Sequence, residues 1–288
     1  MEHSRAEKKP RFLGIFGIIR AAVQIPFINP SFIAFTFITS LPMFCILILP
    51  KLSFVPSEIR DAFVQLEQPN SHSNMLMSVP LVNLSALTTF LATVTVIDCA
   101  STIYKGGAGR SIGLRDLLGN SIIRKRWHSC IFAYIIMSWF SKLSLDAVLL
   151  YGKSGPFSSL RNEWAPPLHF LTLLGISFVR DECSAWWQLA LVVSVLEEDK
   201  LYFDDLLASS ELRKGNRIKG FALMLLYFGW RCLVMELKRW RFTMGVAYDF
   251  VDSGLFCLGT IMNWVACTVY YHDCKNRQSW ELVAANEE

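Results

Sequence analysis

The residues of this sequence that could do chemistry are charged side chains inside long apolar stretches. Lys142 and Asp146 lie four positions apart, so on a helix they would share a face and neutralise each other. Arg231 and Glu236, five apart, are less well aligned, and Arg180 stands within another apolar stretch. Charges at membrane depth are costly and often mark an ion or solute path. Two interpretations stay open: a transport site inside a helix bundle, or polar contacts that hold packed helices together.

A second set of charged residues consists of three carboxylates that end similar apolar segments. The segments read TVTVID, VVSVLE and TVYYHD, and their last residues are Asp98, Glu197 and Asp273. Each carboxylate lies where an apolar stretch gives way to a polar segment. Each can therefore pair with a nearby cation, for example Asp98 with Arg124 or Glu197 with Arg213. A proton or cation site at these carboxylates is the alternative.

Signatures of catalysis and of cofactor binding are missing from the sequence. His272, Asp273 and Cys274 are adjacent, so on one helix they point in different directions and do not suit a metal ion. The glycines from Gly106 to Gly109 lack the lysine and hydroxyl residue of a phosphate-binding loop. No nucleophile elbow, HExxH helix or paired-carboxylate signature occurs. We therefore expect no enzyme activity, no cofactor, no metal and no direct binding to nucleic acid.

The composition indicates a protein embedded in a membrane. Of its 288 residues, 53% are hydrophobic and only 18% are charged, which is too apolar for an ordinary soluble domain. Apolar stretches near the roughly 20 residues that cross a bilayer recur along the chain. They predict a single all-α membrane domain over residues 1–288, a polytopic bundle of six transmembrane helices. The predicted spans cover residues 32–49, 75–97, 130–151, 168–196, 221–237 and 253–271.

The fourth predicted span is longer than a bilayer requires. As one helix, residues 168–196 would be about 44 Å long, and the charged triplet Arg180-Asp181-Glu182 lies within it. Either one long, tilted helix carries these charges near the outer interface, or the helix is broken between Gly175 and Cys183. The sequence slightly favours the unbroken helix.

Three amphipathic segments predict helices that lie in the membrane surface. In the first, Gly17, Arg20 and Gln24 fall on one polar face, and we expect Pro26 and Pro30 to end the helix. Most lysines and arginines outside the spans fall on one side of the predicted bundle, which places both termini in the cytosol. The predicted interfacial helices cover residues 12–24, 112–126 and 203–216.

Two of these surface segments are alike, which predicts an internal repeat. DLLGNSIIRK at residues 116–125 matches DLLASSELRK at residues 205–214 without a gap. Together with the three aligned carboxylate segments, this match predicts a unit of one surface helix, one span out and one span back. The unit would be used three times in the same orientation.

Residues at and after the end of the fourth span form a recognisable pattern. They are Trp187, Val193-Ser194-Val195-Leu196-Glu197, Ser210, Leu212 and Lys214-Gly215. This pattern resembles that of plant six-span integral membrane proteins of uncharacterised function, some of them labelled polyadenylate-binding-protein-interacting membrane protein. The acidic, aromatic run at residues 198–205 and the charged triplet at residues 180–182 depart from that family's pattern. A weaker likeness of layout, to bacterial inner-membrane domains attached to glycerophosphodiester phosphodiesterases, implies a membrane module without catalytic residues.

These features predict a scaffold or organising protein of an endomembrane or of the plasma membrane. Its basic cytosolic helices would contact membrane lipids through anionic headgroups, or a protein partner through the cytosolic loops. The alternative function is an ion or small-solute transporter that uses the intramembrane charges.

Overall fold

The computed structural model describes residues 13–48, 75–106, 130–139 except 133, 136 and 137, residue 175, and residues 183–197, 203–237 and 246–287. Within these ranges the regular structure is helical and contains no strand, which confirms the all-α prediction. The helices are numbered here in chain order. They are α1 (Ile15–Ile28), α2 (Pro30–Ile48), α3 (Met75–Gly106), α4 (Cys183–Leu196), α5 (Phe203–Leu212), α6 (Arg217–Leu237) and α7 (Val246–Glu287).

A sharp corner at Asn29 and Pro30 joins α1 to α2. The backbone N–H of Asn29 donates to the carbonyl of Ile25 at 3.3 Å and closes α1. The Asn29 side-chain oxygen then accepts the backbone N–H of Ser31 at 3.1 Å and caps α2. Proline suits the first position of a helix, where its missing N–H costs nothing. The two helices differ in direction by 94°. Pro30 therefore ends α1 as predicted, whereas Pro26 lies inside its last turn.

Two helices in the described ranges are long and apolar enough to cross a membrane, which indicates membrane association. They are Ala86–Gly106 within α3 and Ala247–Ala284 within α7, and the bent pair of α1 and α2 adds a third when it is counted as one span. By itself α2 is about 28 Å long, close to the roughly 30 Å of a bilayer core. Helix α6, which covers the predicted fifth span, is not among them. Most of the third span and half of the fourth fall outside the described residues, as does the choice between an unbroken and a broken fourth span.

Helices α3 and α7 continue beyond the apolar stretches that defined the second and sixth spans. Those predicted spans end beside Asp98 and Asp273, yet both carboxylates lie inside helices. Helix α3 runs on to Gly106 and α7 to Glu287, and α7 also begins earlier than predicted. Hydropathy locates the edge of the lipid, whereas a helix continues wherever its residues tolerate helical geometry. Of the three carboxylates, only Glu197 directly follows a helix end.

A tight turn leads from α5 directly into α6. The surface helix predicted over residues 203–216 stops at Leu212, because Gly215 adopts the left-handed conformation with φ 82°, which side chains with a Cβ rarely tolerate. The turn places Asn216, only 3% exposed, ahead of α6. Its carbonyl accepts the backbone N–H of Gly220 at 3.3 Å and so joins the turn to the new helix.

Helix α7 is the central helix and packs against α1, α2, α3, α5 and α6. Its Val265 and Val269 are fully buried, as are Val94 and Ile97 of α3 and Val192 of α4. Branched side chains of this kind interlock closely, and such packing is the main attraction between helices in lipid. The centre of the core thus lies at and beside the three aligned segments that precede the carboxylates.

Candidate functional site

Asp273 joins three helices at one end of the bundle. Its side chain is buried, and its Oδ2 atom pairs with the Nζ atom of Lys219 at 2.9 Å. Its Oδ1 atom accepts the backbone N–H of Leu13 at 2.8 Å, just before α1. A buried carboxylate needs partners of this kind, because an unpaired charge is costly away from water. Asp273 of α7 therefore fixes the starts of α1 and α6.

Glu197 makes a second ion pair, which joins the end of α4 to α7. Its Oε1 atom accepts the hydroxyl of Tyr271 at 2.6 Å and the Nζ atom of Lys275 at 2.8 Å. The same Nζ atom donates to the Tyr271 hydroxyl at 3.1 Å and lies 5.5 Å from the centre of the Tyr271 ring. Lysine, tyrosine and carboxylate thus form one compact group. Lys275 could not be identified from the sequence, because it lies outside both repeated segments.

The third carboxylate, Asp98, is partly buried on α3 and also makes a polar or electrostatic contact. Its predicted partner Arg124 lies outside the described residues. Arg213, the partner predicted for Glu197, likewise makes a contact of its own. Two of the three carboxylates thus hold helices together through ion pairs to Lys219 and Lys275.

The polar residue beside Asp273 links α7 to α3. His272 is 6% exposed, and its Nε2 atom is hydrogen-bonded to the Oγ atom of Ser101 at 2.9 Å. Its ring stacks on Tyr104, with centroids 5.2 Å apart and planes 12° apart. His272 and Asp273 therefore face different helices, as expected for neighbours on one helix. Cys274 is buried next to them.

A buried group of amides joins α4 to α7 inside the bundle, and the sequence analysis missed it. Asn263 donates to the Oε1 atom of Gln188 at 2.9 Å, and the thiol of Cys267 donates to the same oxygen at 3.3 Å. The Gln188 amide in turn donates to Ser184 at 3.3 Å. Interhelical hydrogen bonds of this kind hold helices together in lipid. The sequence signal that could have revealed this group was Gln188, a polar residue inside an apolar stretch.

The intramembrane charges singled out by sequence are described only in part. The guanidinium carbon of Arg231 lies 5.5 Å from the centre of the Phe256 ring, a cation–π contact between α6 and α7. Lys142, Asp146 and Arg180 fall outside the described residues, as does the side chain of Glu236. Arg231, the one of these candidates whose side chain is described, therefore contacts a neighbouring helix.

Helix α1 buries one face and exposes apolar side chains on another. Ile18, Ala22 and Ile25 recur at helical spacing and pack into the core. Phe16 and Phe27 are 88% and 80% exposed. Large aromatic side chains in this position are unfavourable in water and typical of a helix that lies in a membrane surface.

Comparison with protein-family models, curated proteins and solved structures finds no match for this chain. The resemblance to the plant six-span family stays an interpretation of the sequence. The functional proposal therefore rests on the geometry of the chain itself: the ion pairs of Asp273 and Glu197, the buried amides of Gln188 and Asn263, and the exposed aromatic side chains of α1.

Proposed function

We propose that this chain is a multi-pass integral membrane protein that acts as a membrane scaffold or organiser. In this proposal, helices on its cytosolic surface bind anionic lipid headgroups or a protein partner. The observation that carries the proposal is the 94° corner between α1 and α2, together with the exposed Phe16 and Phe27 on α1.

The corner suits the two environments of a bilayer. With α2 crossing the hydrocarbon core, α1 lies almost parallel to the membrane plane. Phe16 and Phe27 then enter the lipid near the headgroups, and the exposed Arg20 on the same face extends its guanidinium outward to the phosphates. A membrane protein with a helix that lies in the membrane surface in this way can organise lipids or protein partners around it.

The proposal includes six crossings built from a threefold repeat, with both termini in the cytosol. It is supported by the three carboxylate segments of α3, α4 and α7, which share one buried core. It is also supported by α1 and α5, which precede α2 and α6 as the repeat requires. An endomembrane or the plasma membrane is the proposed location.

The ion pairs of Asp273 and Glu197 favour a scaffold over the transporter alternative. Asp273 and Glu197 each pair with a lysine, and Arg231 lies on an aromatic ring. Charges paired in this way stabilise the packing of the described helices. Ion or solute flux in proteoliposomes that disappears when Asp98, Glu197 and Asp273 become the neutral amides would favour the transporter.

The membrane contact of α1 is tested by hydrogen exchange on the full chain in lipid nanodiscs. We expect Phe27→Asp to speed exchange of the α1 amides at least about tenfold, because a buried phenylalanine contributes roughly 1.5 to 3 kcal/mol. Leu282→Asp is the matched control: Leu282 is 62% exposed near the end of α7, in the part that the proposal places in the cytosol. Equal exchange of α1 in the two variants would contradict the proposal.

A further inference from the structure

A cavity of about 540 Å³ opens at the end of the bundle where Asp273 and Glu197 lie, beside the ion pair of Glu197 with Lys275. It lies between the last turns of α3 and the part of α7 that follows the core, with the end of α4 at its edge. Its volume falls in the range of sites for small molecules. Among the residues that the structure describes, those that matter for binding are Tyr104, Lys105, Tyr271, His272, Lys275 and Ser279.

The described lining of the cavity is positively charged. It contains Lys105 and Lys275 and no carboxylate. Lys105 is exposed and makes no ion pair with any residue in the described ranges. Lys275 is paired with Glu197 but keeps 52% of its side chain exposed, so it can still reach a ligand. Lysine ammonium groups placed in this way attract phosphate.

The walls of the cavity are held in place before any ligand arrives. His272 is fixed by its bond to Ser101 and by stacking on Tyr104. Lys275 and Ser279 are four residues apart on α7 and therefore project from the same face. The cavity thus offers Lys275 from α7 opposite Lys105 from α3, and the Ser279 hydroxyl in the wall beside them donates to the carbonyl of Asn276 at 2.7 Å. Lys275 is already held by Glu197 and Tyr271, so it loses little side-chain freedom on binding.

The position of the cavity selects a lipid over a free phosphate compound. Leu91 of α3 is an exposed apolar side chain, and Lys105 lies about 21 Å further along the same helix. Tyrosine and lysine side chains beyond an apolar stretch are typical of the headgroup level. We propose that this cavity binds the phosphate of an anionic phospholipid headgroup. The inference rests on the membrane placement in the proposed function and adds a specific site to it.

Equilibrium binding to the purified full chain in a neutral detergent tests the site, with calorimetry as the readout. The probes are dioctanoyl phosphatidic acid, dioctanoyl phosphatidylcholine and glycerol 3-phosphate. We expect one phosphatidic acid to bind per chain, more tightly than either other probe. Lys105→Gln should weaken it about tenfold, as expected for loss of one charge-assisted contact. Ser279→Phe, which narrows the cavity without changing its charge, should weaken it as well.

The matched control is Arg217→Gln, because Arg217 is exposed, begins α6 outside the predicted surface helix and does not line the cavity. Its effect should stay below about twofold. Equal losses in Lys105→Gln and Arg217→Gln would show diffuse surface attraction and overturn the cavity site, while the surface-helix function would stand. Glycerol 3-phosphate binding as tightly as phosphatidic acid would overturn the lipid assignment. No binding of phosphatidic acid would overturn the inference, whereas exchange in α1 decides the proposed function separately.

Discussion

Replacing Asp273 by asparagine should destabilise the bundle measurably, because it removes one charge from a buried ion pair. The change keeps the shape of the side chain but ends its ion pair with Lys219. The asparagine oxygen can still accept the backbone N–H of Leu13, whose bond is 2.8 Å long in the native chain. The variant therefore isolates the charge of Asp273 from its hydrogen-bonding role toward α1.

The magnitude follows from how well each partner is shielded from water. Leaving one member of a buried ion pair alone costs about 3 to 5 kcal/mol. The side chain of Lys219 is 20% exposed and that of Asp273 is 4% exposed. In the variant, the ammonium group of Lys219 can therefore recover part of its hydration. We therefore expect the free energy of unfolding to fall by about 2 kcal/mol, below the cost for a fully buried pair.

The assay is equilibrium unfolding of the full chain in mixed micelles, followed by tryptophan fluorescence. Glu281→Gln is the matched control: its pair with Arg277 also lies on α7, but the two side chains are 68% and 36% exposed. An exposed pair contributes about 0 to 1 kcal/mol, so this control should change stability little. A double variant with Lys219→Met should recover part of the loss. Equal stability of Asp273→Asn and Glu281→Gln, or additive effects in the double variant, would refute the reasoning.

Two further changes test the packing around α7 in the same unfolding assay. A Cβ atom on Gly259 would collide with the indole of Trp230, so Gly259→Ala should cost about 1 to 3 kcal/mol; Gly229→Ala, which meets nothing nearby, should be neutral or stabilising by up to about 1 kcal/mol. Similar effects of the two alanines would contradict this packing. Asn263→Leu should cost about 1 kcal/mol by removing the donor to Gln188, and a second change of Gln188 to leucine should restore part of it. A larger loss in that double variant would show that the amide pair is not the unit that matters.

Features set by neighbouring residues were predictable from the sequence. Asn29 caps α2 through a bond to Ser31, two positions away, and Pro30 suits the first position of a helix, so the corner between α1 and α2 could be anticipated from the two residue types. The helical character of each apolar stretch was equally local. The end of α5 was missed by one turn, because the prediction carried the helix past Gly215, a residue type that commonly ends helices and is left-handed here.

Features set by distant residues were not predictable. Lys275 and Glu197 are 78 positions apart, and Asn263 and Gln188 are 75 apart. No periodicity links such positions, so only the packing of α4 on α7 shows that they meet. The length of α7 was also hidden, because polar residues after Tyr271 end the apolar signal without ending the helix. The carboxylates could be recognised as candidates, but their lysine partners could not.

Mapping the sidedness of the chain tests the central claim most directly. Glycosylation acceptor cassettes can be inserted one at a time into the full chain during synthesis on endoplasmic reticulum microsomes. With six crossings and cytosolic termini, cassettes within residues 51–74, 152–167 and 238–245 should be glycosylated, whereas those at either terminus or within 107–129 should stay unmodified. Glycosylation at one terminus, or the same side for residues 51–74 and 107–129, would contradict the account.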